Sequence, residues 1–148
     1  MASKKRQGKK NSGAGNPAKA AARGRSVFKI QAEAQVGALR GDYTAWVAEQ
    51  VPVFTAEQAS QAAGMQWDLI GQIAGEYADN ARSSNLFDMD VDVFGETLAM
   101  HLGNLPESVA PEPIFTTWLE YFNFVDDRNL WQGPAENLEA LREMLEDT

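Results

Sequence analysis

The sequence predicts an all-α protein, a compact bundle of six or seven helices preceded by a disordered basic tail. Three observations predict it. After residue 26, apolar residues recur at spacings of three and four, the signature of a buried helical stripe. No segment shows a convincing run of the every-second-residue alternation that marks a half-buried strand. Charge is divided along the chain: residues 1–29 hold nine Lys and Arg and no acid, while residues 30–148 hold four Arg against all 21 acids. The segment 1–26 is read as the tail and 27–148 as one acidic helical domain. The latter, about 120 residues, is long enough for a single core.

The elements follow in order. Residues 1–15 are Lys, Gly, Ser, Asn and Gln with little to bury, so ordering them costs entropy that no core offsets. Asn16-Pro17 offers a helix start, but the run Ala18–Arg23 is too short to hold alone in water and is expected to fold only on a partner. Ser26 caps a long helix with Phe28, Ala32, Val36, Leu39, Tyr43 and Trp46/Val47 on one face, ended by Pro52. Gly41-Asp42 offers a break within it, the difference between six helices and seven. Thr55 to Gln58 reads as a capping box with Phe54 as its hydrophobic staple, and the helix it opens is expected to stop at Gly64. The next helix carries Trp67, Ile70, Ala74 and Tyr77 and is broken by Ser83-Ser84-Asn85. Asp90 caps another, with Val91, Phe94, Leu98, His101/Leu102 and Leu105 inward. A Pro-rich loop over 105–113 leads to a helix buried through Ile114, Phe115, Trp118 and Phe122. After a turn region over 126–134, Pro134 opens the last helix, buried through Leu138, Leu141 and Leu145.

Composition excludes several functions. The chain has no cysteine, so disulfides, zinc–thiolate sites and thiol catalysis are ruled out. No apolar run approaches the ~18 residues of a membrane span. The basic N-terminus is not followed by the apolar stretch of a secretory signal, which leads to a cytoplasmic expectation. No nucleophile–base pair, phosphate loop or ligand cluster is evident. The chain is therefore read as non-enzymatic, with no cofactor and no metal site.

The tail is the first candidate site. Lys4, Lys5, Arg6, Lys9, Lys10, Lys19, Arg23 and Arg25 are interleaved with small and polar residues. Cations of this kind neutralise phosphates and release counterions. The tail has no aromatic side chain on which bases would stack, so binding is expected to the backbone of nucleic acid or the ribosome, with little sequence preference. The competing reading is a solubilising tail, or one that folds back on the acidic body. The body, at −17 against +9 for residues 1–29, is read as an interaction module for a basic protein partner.

Two further motifs point elsewhere. In FTAEQASQAAGMQWDLIGQIA, Phe54 to Ala74, Ser60 takes the place of a small residue, Gly64 that of a turn glycine, and Met65 and Ile70 those of packed apolar residues. This segment resembles the helix-turn-helix DNA-binding motif of bacterial repressors. The resemblance implies a regulator whose second helix enters the major groove, with Gln66 and Gln72 reading adenine edges. That second helix carries Asp68 and Glu76 and no Lys or Arg before Arg82. The same pattern also serves a plain pair of packed helices. In FDMDVDVFGE, Asp88, Asp90 and Asp92 alternate as at the start of a calcium loop, which suggests a carboxylate-based metal-dependent enzyme as a third reading. Val93 and Ala99 stand where an EF-hand needs glycine and an acid, and capping of the next helix is the simpler role for these aspartates. His101, the single histidine, has no His or Cys partner; Thr97, one turn back, is a candidate hydrogen-bond partner for it.

Overall fold

A computed structural model describes residues 26–147. Those residues form five α-helices and no strand: α1 (Val27–Gln50), α2 (Ala56–Ala81), α3 (Val91–Gly103), α4 (Glu112–Asp127) and α5 (Ala135–Glu146). The all-α class is as expected. The helix count is lower because two expected breaks are absent.

Gly41-Asp42 lies inside α1, which runs unbroken for 24 residues, and Gly64 lies inside α2, which runs for 26. A glycine inside a helix costs only about 1 kcal/mol relative to alanine. It ends a helix only when the chain also turns left-handed there, and neither glycine does so. Both helices are held by tertiary packing along their length, which outweighs that local cost.

The starts of the first three helices were legible because the caps are local. Ser26 Oγ accepts from the Lys29 N–H at 3.0 Å. The Thr55–Gln58 capping box is complete, with Gln58 N–H donating to Thr55 Oγ1 (3.1 Å) and Thr55 N–H to Gln58 Oε1 (2.9 Å). Phe54, expected as the staple, is 38% exposed. Asp90 Oδ1 accepts from the Val93 N–H at 2.9 Å and caps α3. Two left-handed residues stop helices. Arg82 (φ 56°) follows α2, and the Ser83 N–H returns to the Ala78 carbonyl. Asn129 (φ 57°) follows α4, and the Leu130 N–H returns to Val125. Both returns are the six-residue closure of a Schellman turn.

The antiparallel hairpin α1–α2 is the largest packed pair; α2 also meets α3 and α4, and α5 packs on α4 and α3. Much of the α1–α2 seam is small-residue packing, with Ala32, Ala59, Ala63, Ala74 and Ala78 buried, and Tyr43 meets Trp67 across it at 4.4 Å between ring centroids. Two long cationic side chains of α1 cross glycines of α2. A Cβ on Gly64 would stand 2.7 Å from Arg40 Nη2, and one on Gly75 would stand 3.0 Å from Lys29 Cγ. The two cations are eleven residues apart, and so are the two glycines, so both crossings share one antiparallel register. Trp67 donates its indole N–H to the Val36 carbonyl across the same seam.

The other half of the core is aromatic. Trp118, Tyr121, Phe122 and Phe124 of α4 are fully buried. Phe94 meets Trp118 at 5.0 Å between ring centroids, and Phe124 meets Tyr43 edge-on at 5.3 Å. The α2–α3 connection is part of this core, since Leu86 and Met89 are fully buried. It is pinned at the backbone: the Leu86 N–H donates to Gln35 Oε1, and the Leu86 carbonyl accepts from the Tyr121 hydroxyl at 2.7 Å.

Candidate functional site

All eight candidate residues of the basic tail, from Lys4 to Arg25, lie outside the described residues. Within the described residues, the acidic character becomes spatial. Glu136, Glu139, Glu143 and Glu146 form an exposed row along α5, on the face away from Leu138, Leu141 and Leu145. Asp92 and Glu96 project from α3, which packs against α5.

The helix-turn-helix geometry does not form. Phe54–Ala74 is a loop end followed by part of one continuous helix, because Gly64 is helical. Trp67 and Ile70 are buried. Gln66, expected to reach a base edge, is engaged inside the protein: its Oε1 accepts from the Tyr43 hydroxyl at 2.7 Å, and its Nε2 donates to Glu120 Oε1 at 2.8 Å. Burial, reinforced by the charge of Glu120, holds the Tyr43 hydroxyl well above the ordinary tyrosine range, so it remains a donor in this chain of bonds.

The three aspartates have separate positions. Asp90 is the α3 cap, and its own N–H donates to the Tyr77 hydroxyl at 2.6 Å. Asp92 sits exposed in the first turn of α3, where a negative charge complements the helix dipole. Asp88 lies against Gly133 in the loop before α5. Among the described residues, no three His, Asp or Glu side chains converge as a metal-holding group. His101 occupies the last turn of α3, half-buried. Thr97 bonds elsewhere, donating to the Val93 carbonyl and accepting from Asn80 Nδ2.

The structure adds a cleft that sequence reasoning missed. It has a volume of about 300 Å³ and lies where the C-terminal ends of α1 and α4 meet α5. Trp46, Val47 and Val51 supply its apolar side; Glu120, Asp126 and Asp127 supply carboxylates. The Trp46 indole N–H donates to Asp127 Oδ2 at 2.9 Å, and Arg142 Nη2 pairs with Asp126 Oδ2 at 2.6 Å. Neither α1 nor α4 has a basic residue in its last turn, although Arg128 follows α4 directly as its C-cap residue. Beyond the cleft, Arg128 makes a two-pronged contact with Glu49. Val53, 87% exposed, follows the cleft residue Val51 at the hairpin tip. The cleft can receive a cation with an aliphatic stem. It offers no nucleophile with a base beside it.

No local signal announced this cleft. Trp46 and Asp127 are 81 residues apart in sequence. The Asp126-Asp127 pair looked like the start of a turn, and Glu120 falls between the apolar positions of α4. Only the fold brings them together.

No helix among the described residues is long and apolar enough to cross a membrane. Comparison of the chain with protein-family models, curated proteins and solved structures gives no match.

Proposed function

We propose that this is a non-enzymatic binding protein. Its basic N-terminal segment contacts the phosphate backbone of nucleic acid, free or in the ribosome, while its acidic helical body docks a basic protein partner. The observation that carries this reading is the partition of charge: residues 1–25 hold eight cations and no acid, and residues 26–148 hold five cations against 21 acids. A segment of that composition is attracted to any polyanion, and a body of that composition repels one. The two halves therefore suit different partners, with the chain as a tether between them. The body's exposed glutamate row and its carboxylate cleft are surfaces on which a basic partner gains electrostatic complementarity.

The test is fluorescence anisotropy with labelled duplex DNA and structured RNA, comparing the full chain with a chain beginning at Ser26. The expected result is binding by the full chain alone, with little dependence on sequence. Equal binding by the shortened chain would remove the N-terminal segment from the account.

A further inference from the structure

We propose that the Lys4–Lys10 stretch of this chain docks in the cleft between the C-terminal ends of α1 and α4, so that nucleic acid must displace it. The regulatory consequence rests on the function proposed above; the docking itself does not.

The cleft is chemically matched to such an occupant. Trp46 and Val47 give an apolar wall, and Glu120, Asp126 and Asp127 outnumber Arg142, which is already paired with Asp126. The carbonyl end of α1 adds negative potential, while that of α4 is followed by Arg128. A concave site with a net excess of carboxylates concentrates that potential, whereas the glutamate row of α5 projects into water, where salt screens it. A lysine or arginine fills such a site by laying its aliphatic stem on the apolar wall and turning its charged head to the carboxylates. KKRQGKK supplies five cations in seven residues, with no acid and no large apolar side chain.

Chain length selects this stretch over the rest of the tail. At ~1.5 Å rise per residue, the cleft begins about 30 Å from Ser26 along α1. Lys10 is 16 residues upstream of Ser26, a reach of up to about 50 Å when extended, whereas Arg23 and Arg25 fall well short. A random coil of 16–22 residues has a mean end-to-end distance of roughly 20–28 Å, comparable to the gap. Tethering at that span gives an effective concentration on the order of millimolar, enough for a weak contact to form within one molecule.

The experiment uses the full chain and has two arms. In the first, zero-length carbodiimide cross-linking at low salt is mapped by mass spectrometry. Links from Lys4, Lys5, Lys9 and Lys10 are expected to concentrate on Glu120, Asp126 and Asp127 and to disappear at high salt. Links spread equally over Glu136, Glu139, Glu143 and Glu146, or no links at all, would overturn the docking. In the second, duplex DNA binding is compared between Glu120→Gln/Asp127→Asn and Glu139→Gln/Glu143→Gln. Both variants remove two charges, and the first keeps acceptors for Gln66 and Trp46. The cleft variant is expected to bind roughly three- to tenfold more tightly than the control, because the docked fraction no longer subtracts from the competent one. Equal affinity of the two variants would overturn the autoinhibitory contact while leaving the nucleic-acid reading in place. Cross-links to the cleft with no DNA or RNA binding by any form would overturn the nucleic-acid reading and the displacement, and leave the docking standing.

Discussion

Helix α2 is packed in two different ways, against α1 on one side and toward α4 on the other. Against α1 the contact is made largely by alanines and glycines, with the stems of Lys29 and Arg40 laid across Gly75 and Gly64, and with one ring pair, Trp67 tilted against Tyr43 at 4.4 Å. Toward α4 it is made by rings, with Trp67 tilted against Tyr121 at 6.1 Å and edge-on to Phe124 at 6.3 Å. The first seam holds two helices close along their whole length. The second fills a wider space with a few large side chains. Each small residue of the first seam contributes little by itself, whereas each buried ring contributes much.

That difference predicts the largest single loss on the aromatic side. Trp118→Ala is expected to cost about 3–5 kcal/mol in denaturant unfolding, the range for deleting a fully buried large side chain. Trp118→Phe sharpens the comparison. The buried Trp118 indole N–H has no hydrogen-bond partner, so its removal offsets part of the lost volume, and the cost should stay below about 1.5 kcal/mol. Equal losses for the two variants would show that ring volume is not what this half depends on.

Alkaline pH attacks the same half next. Burial holds the hydroxyls of Tyr43, Tyr77 and Tyr121 above the ordinary tyrosine range. An unfolded chain releases these protons near pH 10 and the folded chain keeps them, so above that pH the unfolded state binds fewer protons. Stability is unaffected by these groups below about pH 10 and falls beyond it, by up to about 1.4 kcal/mol per pH unit for each tyrosine. Tyrosinate absorbance is expected to appear together with loss of helical circular dichroism. Tyrosinate appearing well before unfolding would mean the hydroxyls are more accessible than their burial indicates.

A smaller effect falls where the two packings meet. Tyr43→Phe leaves Gln66 Oε1 without its donor beside Glu120 and is expected to cost about 1–2 kcal/mol. The smallest effects are gains, on the seam side. An added Cβ meets nothing within 4 Å at Gly37 or Gly41. Gly37→Ala and Gly41→Ala should each stabilise by about 0.5–1 kcal/mol through helix propensity. Gly75→Ala should gain less, because its Cβ presses on the Lys29 stem. A destabilising Gly41→Ala would mean that α1 bends there after all.

The glycines also explain what the sequence concealed. The stripes of α1 and α2, the leucines of α5 and the caps at Ser26, Thr55 and Asp90 are local patterns and were readable. Gly64 was misread because a turn glycine and a close-packing glycine are the same letter; which one it is depends on Arg40, 24 positions away in sequence. Leu86 and Met89 were overlooked because they fill the core from an irregular segment with no period to reveal them. The cleft was invisible for a related reason: each carboxylate has an ordinary local role, and only the crossing of α1, α4 and α5 gives them a common wall.

The most direct test of the division of charge is the salt dependence of duplex DNA binding by the full chain. The logarithm of affinity against the logarithm of salt should fall with a slope of about −0.9 for each contacted phosphate, and become shallower by about one for each of Lys4, Lys5, Lys9 and Lys10 changed to glutamine. A slope that these substitutions leave unchanged would contradict the account, and would move the contact with nucleic acid onto the helical body.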